Sequence, residues 1–342
     1  MFNMNAQLNF HQIINVEGLA NMLKINSLDS FLKIGAGLRG KNIVFTPNDR
    51  TRVPIEGWRK ENEVNDYPLR PISVVSKPTL VTGVDSSCIK IAETEEGTIY
   101  AVKCGIVFCI SLEIVLHFKI GPLLLYLTES SLSDSELDNK IVKLVSFDPD
   151  IARRMIRINT ERLVQSELAK ILHNSLILVD GSLKLSCFEN RNYNLKKIIE
   201  NCVLHNNTLV GIGKSTKFKI LDTVSGNLRD LNGPGILDVS LIVKSLVRNA
   251  IGLNTLVKFG GSTLLLRADI VEKDIHDAAA ALGQILGNDP IPFGYPECLR
   301  MAHHISCFSK SDIAGIKGHI LKNYDVVELA SQDVRTNLLG SI

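Results

Sequence analysis

The chain has no Cys-x-x-Cys pair, although it carries seven cysteines: Cys88, Cys104, Cys109, Cys187, Cys202, Cys298 and Cys307. Without paired spacing, a zinc site built on cysteines is not expected. An odd number of scattered cysteines reads as reduced, buried thiols of a cytosolic protein. An excess of charge is also lacking. There are 38 Lys and Arg against 36 Asp and Glu, for a formal net charge of +2. Attraction of nucleic acid through bulk charge alone is thereby excluded, while a local basic groove is not. Met1–Gln12 has neither a basic n-region nor a long apolar h-region, so no export signal is expected. No uninterrupted apolar run reaches the ~20 residues of a membrane span. The greasiest stretch, Gly105–Leu127, is interrupted by Glu113, His117 and Lys119 and broken at Gly121-Pro122. It reads as two adjacent buried strands. The expectation is a soluble, cytoplasmic protein with no membrane partner.

What is present is an ordinary globular composition of 342 residues, 45% hydrophobic and 22% charged. A chain this apolar can offset the entropy of ordering, which excludes a disordered protein. Residues 14–33 have helical spacing. Residues 44–78 are loop-rich and punctuated by five prolines. A block of short β-branched runs follows at 79–84, 89–92, 99–102 and 106–110, with Glu96-Gly97 as a hairpin turn. Residues 128–140 form a polar insertion that reads as a mobile loop. From Asp150 the spacing turns helical. Leu176–Val179 is an apolar strand ending at Asp180-Gly181-Ser182. A helix over 195–204, a strand over 209–212, a loop over 222–235, a strand over 263–267, a helix over 275–286 and a helix around 301–313 complete the pattern. A strand meander followed by alternating helix and strand predicts a mixed sheet with helices packed on it.

Three motifs offer nucleotide chemistry. Gly35-Ala36-Gly37-Leu38-Arg39-Gly40 spells a dinucleotide fingerprint, but a helix precedes it where a strand is needed. Gly211-Ile212-Gly213-Lys214-Ser215 approaches a phosphate-binding loop, but Thr208 stands where the first glycine belongs. Gly83-Val84-Asp85-Ser86-Ser87 approaches the first phosphate loop of actin-like ATPases and sugar kinases. Ser87 replaces the glycine that such a loop needs. That motif supplies an alternative function, an actin-like ATPase or kinase.

The acidic residues carry a different chemistry. Asp85 and Asp180 each end an apolar strand and precede small residues. One such Asp is often a turn-former. Two on adjacent strands would bring like charges within a few ångströms, which is unfavourable without a neutralising cation. Hard oxygen ligands suit Mg²⁺ or Mn²⁺. Glu161 or Glu167, on the helix between them, would add a third carboxylate. They do not share a helix face, and Glu161, near the helix start, is preferred. His303 and His304 lie in a further segment whose imidazoles would ligate an ion or act as acid or base.

Taken in order, Gly83-Val84-Asp85-Ser86-Ser87, the Glu161 helix, Leu178-Val179-Asp180-Gly181-Ser182-Leu183, Gly213-Lys214-Ser215-Thr216-Lys217 and Tyr295-Pro296…Ala302-His303 resemble the NurA nuclease family of archaea and some bacteria. The resemblance spans roughly residues 79–315. It implies an α/β fold with an RNase H-like mixed sheet flanked by helices and extra helical elements at both ends. The implied core is 76–325, with an extension at 1–75 and a tail at 326–342. It implies a manganese-dependent nuclease, with Mg²⁺ as a second ion. The implied activities are 5′-to-3′ exonuclease on DNA ends and single-strand endonuclease. The implied partners are single-stranded DNA and duplex ends, a second copy in a homodimer, and a hexameric HerA-type ATPase during double-strand break resection. Asp85, Glu161, Asp180 and His303 match the metal site, and Lys214 the lysine after the strand. The segment after Tyr295-Pro296 departs from the family, because Glu297-Cys298 stand in place of an aromatic and an apolar residue. Ala302 directly before His303 favours it over His304. Arg153, Arg154, Arg157, Lys217 and Lys219 are candidate DNA contacts. A catalytically weak scaffold of an ATPase ring is the third reading.

Overall fold

The structure, a computed structural model, describes residues 42–45, 67–133, 139–214, 221, 224–247, 249–260 and 264–328. The helix expected over 14–33, the Gly35–Gly40 motif and Ser215 to Lys219 lie outside them. Among the described residues, eleven strands form one mixed sheet. They are β1 (Asn42–Phe45), β2 (Leu69–Pro71), β3 (Val81–Glu93), β4 (Gly97–Ile110), β5 (Glu113–Thr128), β6 (Leu176–Asp180), β7 (Thr208–Gly213), β8 (Gly235–Asp238), β9 (Leu253–Lys258), β10 (Leu265–Ile270) and β11 (Val327–Glu328). The helices are α1 (Glu129–Ser133), α2 (Asn139–Phe147), α3 (Pro149–Ile171), α4 (Leu195–Leu204), α5 (Gly226–Asp230), α6 (Ser240–Leu246), α7 (Ile275–Asn288), α8 (Glu297–Ser306) and α9 (Lys310–Asn323).

The core of the sheet is a long antiparallel meander, β3-β4-β5, continued in parallel by β6 and β7. The order β5-β4-β3-β6-β7 is the RNase H-like arrangement. β10, β9, β8 and β2 extend it in antiparallel fashion beyond β7. On the same edge that meets β6, the far end of β3 pairs with β1, and β1 pairs with β11. Residues on either side of the β3–β7 core therefore enter the sheet.

The short β-branched runs merge. Four expected fragments become two strands of 13 and 14 residues, joined where Thr94 bonds to Gly97. They lack the polar alternation that would have marked a one-sided strand, because helices cover both faces. On one face Val81, Val107, Leu176, Leu178, Val210 and Ile212 pack under α7 and α8. On the other, Val84, Ile106, Phe108, Ile177 and Val179 pack under α3 and α4. Each fully buried side chain of this size contributes about 1.5–3 kcal/mol of transfer free energy. The greasy 105–127 stretch is two strands, but not two buried ones: β5 is an edge strand with only Ile120 and Leu124 buried, and it runs through Gly121-Pro122 rather than stopping there. The polar 128–140 segment is not simply a loop: α1 and the start of α2 occupy its described parts. There Ser131 and Thr128 exchange side-chain and backbone hydrogen bonds that start a helix.

α3 starts where Pro149 occupies the first helical position and Asp148 caps the backbone nitrogen of Asp150. It is a single helix of 23 residues. The helix expected around 301–313 is two. The break falls at Cys307–Ser309, where Ser309 and Asp312 form a reciprocal capping box that begins α9. Among the described residues, no helix is long and apolar enough to cross a membrane.

Candidate metal centre

The parallel register pairs Val84 with Val179, so the next residue on each strand is an aspartate. Asp85 is buried in the middle of β3, whereas Asp180 ends β6 and is half-buried. Both side chains lie on the face covered by α8. That helix approaches unusually closely because two glycines face it. A Cβ on Gly83 would stand 2.6 Å from the carbonyl carbon of Cys298. A Cβ on Gly105, which pairs with Asp85, would overlap the carbonyl oxygen of Ala302. The absence of these two side chains places the next turn of α8 directly over Asp85.

His303 projects from that turn. Its Nδ1–H donates to Asp85 Oδ2 at 2.7 Å, and the Ser306 hydroxyl lies 3.3 Å from the same oxygen. Asp180 is bound twice. Lys214 Nζ donates to Oδ2 at 2.8 Å, and the Tyr295 hydroxyl donates to Oδ1 at 3.1 Å. Lys214 also sits 5.2 Å from the centre of the Tyr295 ring, a cation–π contact. Burial, and then the negative charge of Asp180, push the Asp85 carboxyl above its ordinary range, while His303 and Arg157 pull it back. Burial, and then Asp180, likewise push the Tyr295 phenol up, which keeps it a neutral donor.

One donor atom from each of Asp85, Asp180 and His303 lies within 4.8 Å of the others. Two carboxylates and an imidazole are the donor chemistry of Mg²⁺ or Mn²⁺. Donors ~2.1 Å from an ion stand at most ~4.2 Å apart. Closing the difference requires a small side-chain rotation, and His303, with its side chain 54% exposed, is free to make it. The residues therefore fit a hard divalent cation. Within the chain itself, Lys214 offsets Asp180.

Glu161 is not part of this trio. It faces the opposite side of β3, where the Ser86 hydroxyl donates to it at 2.8 Å and Arg157 lies 3.6 Å away. Its carboxyl is pushed up to about 7, first by burial, with Arg157 opposing and Asp85 reinforcing. Glu167 instead pairs with Lys170 on the helix surface. His304 is exposed. Of the expected DNA contacts, Arg153 pairs with Asp150, and Arg157 serves Glu161. Gly83–Ser87 does not form a phosphate loop, since β3 continues eight residues past Asp85 before turning. Gly211–Gly213 likewise lies within β7.

Tyr295 and Ser306 were missed as individual site residues. Tyr295 belongs to a quoted motif, and its role could have been inferred from a buried phenol needing a partner. Ser306 had no sequence signal beyond its position one turn after His303. A buried ion pair, Arg162 Nε to Glu189 Oε1 at 2.8 Å, ties α3 to the segment that follows Asp180.

Because the folded pKa of Glu161 lies above its ordinary 4.5, the folded protein holds that proton more tightly than the unfolded chain. Its contribution to stability is complete below pH 4.5 and is lost as pH rises through about 7. Thermal melts of chelator-treated protein should therefore fall in Tm across that window. Glu161→Gln should flatten the fall. An equal slope in both proteins would refute this source.

No known protein-family profile matches the sequence. No curated protein matches it. Among solved structures, the fold is similar to that of the NurA nuclease from Sulfolobus solfataricus. That match has 15% identity and a TM-score of 0.47, and it covers 75% of this chain and 87% of the other. A structure of NurA bound to dAMP and manganese matches at 11% identity and TM-score 0.42, over 71% and 88% of the two chains. The catalytic domain of human endonuclease V matches at 16% and 0.38, over 71% and 85%.

Proposed function

We propose that the chain is a divalent-metal-dependent DNA nuclease that hydrolyses phosphodiester bonds. The observation that carries this reading is the convergence of Asp85, Asp180 and His303, three potential ligands from three different elements. In a fold of buried strands, two adjacent carboxylates at the mouth of a parallel β pair have no structural use that an Asn would not serve without the desolvation cost.

Asp85 and Asp180 would hold the ion with His303, while Glu161, expected as a third ligand, lies across β3 from them. The ion, when bound, supplies Lewis-acid polarisation of the phosphate and an activated water. The chain's own residues do the rest. Asp85 fixes the ring of His303 through Nδ1, and Tyr295 fixes the carboxylate plane of Asp180. Lys214, 47% exposed, is positioned to leave Asp180 for a phosphate oxygen as a point charge. The finer reading rests on the motif resemblance: Mn²⁺ as the working ion, 5′-to-3′ exonuclease and single-strand endonuclease activity, a homodimer, and a hexameric HerA-type ATPase as partner.

Labelled single-stranded and duplex oligonucleotides, incubated with Mn²⁺, with Mg²⁺ or with excess chelator, test the proposal. Ion-dependent cleavage that chelator abolishes is expected. Absence of cleavage with every ion, or cleavage indifferent to chelator, would sink it. Co-purification with a hexameric ATPase tests the partnership separately.

A further inference from the structure

Among the described residues, β5 pairs with β4 on one side and with nothing on the other. A free edge of this length presents a row of backbone N–H and C=O groups to any strand that meets it. The strand divides at Gly121-Pro122, where Pro122 has no N–H to give. The part before the proline, Glu113–Ile120, is the exposed half. Much of that exposure is apolar: Ile114 is 40% exposed, Val115 39%, and Leu112 just before them 52%. Leu112 is held there against its preference. Ser111 and Leu112 form the two-residue turn between β4 and β5 with φ of 51° and 65°, a left-handed pair for which Asn-Gly is the usual choice. Their N–H groups donate to the side-chain and backbone oxygens of Asn288, at 3.1 and 2.9 Å, which fixes the turn on the end of α7.

The exposed half-strand is complementary to itself. Glu113 and Lys119 stand three residues either side of Leu116, and both are exposed. Neither has an ion-pair partner among the described residues. We infer that β5 is the seam of a dimer, laid antiparallel against the β5 of a second copy about a two-fold axis at Leu116. Each Glu113 then faces Lys119 of the second copy, Val115 faces His117, Ile114 faces Phe118, and Leu116 faces its own counterpart. Opposite charges and apolar pairs set directly across a strand pair both favour it. Moving the axis one residue back sets Glu113 against His117, and one residue forward against Gly121. No other axis brings the two charges together, so the charges select the register. Such a contact is isologous and closes on itself. A seam of about eight residues is only ~27 Å long, so the dimer should dissociate in the micromolar range.

The inference deepens the homodimer of the proposed function and rests on that part of it alone. Sedimentation velocity from about 1 to 100 μM should show the full chain passing from monomer to dimer. Lys119→Glu and Glu113→Lys each set like charges face to face at both ends of the seam, and each should weaken dimerisation roughly ten-fold. Both positions are exposed, so neither change disturbs the core. An equimolar mixture of the two variants should recover parental dimerisation, because every end of the mixed seam again holds one glutamate and one lysine. A dimer indifferent to both reversals, or no recovery on mixing, would overturn the β5 seam and leave the homodimer standing. A parent that stays monomeric throughout would overturn both. Cleavage assays on the same samples keep the nuclease reading separate: a monomer that cleaves overturns the seam alone, and a dimer that responds as expected without cleaving upholds the seam alone.

Discussion

Asp85→Asn should abolish ion-dependent cleavage, with a loss of at least ~10³-fold, while leaving the metal-free protein no less stable than the parent. The two halves of this result have one cause. Asp85 is the most deeply buried of the three candidate ligands and is bonded by His303 and Ser306. Burial and the adjacent Asp180 disfavour its charge more than His303 and Arg157 favour it, since its carboxyl is shifted upward. Charge on this carboxyl is therefore disfavoured in the folded chain, and an amide of the same shape removes that cost. A bound ion would make the carboxylate worthwhile, since the polarisation and water activation it supplies are worth several kcal/mol of barrier, and each ~1.4 kcal/mol is tenfold in rate. Thermal melts with and without Mn²⁺ give the second readout. The parent should gain stability with the ion by mass action, and Asp85→Asn should not. A variant that still cleaves at the parental rate would remove Asp85 from the chemistry. One that melts far below the metal-free parent would show that its role is structural.

The second large effect belongs to a residue with no side chain. Gly105→Ala should cost about 3 kcal/mol, at the upper end of what overpacking does, and reduce kcat by ~10²-fold or more. The added Cβ meets backbone rather than a flexible side chain. It overlaps the Ala302 carbonyl oxygen and stands 3.1 Å from that carbonyl's carbon. Relief requires α8 to lift from β4, and His303 rises with it, away from Asp85. Urea unfolding measures the first effect and steady-state cleavage the second. Full activity in a folded Gly105→Ala protein would show that the close approach of α8 does not position His303.

These two residues also mark what could be read from the sequence. Asp85, Asp180 and His303 were legible because each sits in a short motif whose order and strand context agree. Lys214 followed from the strand before it. The mixed sheet was legible from the meander followed by helix and strand, and its RNase H-like character from the motif resemblance. The close helix was not. Nothing in Gly105 itself says that a helix backbone rests on it, because the contact is between positions about 200 apart in sequence. Strand lengths were underestimated because β3 and β4 are covered on both faces, which erases the alternation used to find their ends. β8 was missed because it is only four residues long, and β9 because it carries buried polar residues. In β9 the Asn254 amide nitrogen donates to Asp269 and the Thr255 hydroxyl to the Ala268 carbonyl, partners that only the folded sheet provides.

The two aspartates differ in one respect that bears on motion. Asp85 lies within a strand paired along its whole length with β4, and its backbone can open only when the meander itself comes apart. Asp180 ends its strand, and the chain leaves it through Gly181 at a φ of 123°. Hydrogen exchange should separate them, with the amides around Asp85 reporting global unfolding and those after Asp180 reporting local opening. One wall of the centre is thus an anvil and the other a jaw. Any closing movement would be carried by Asp180 and Lys214 rather than by Asp85.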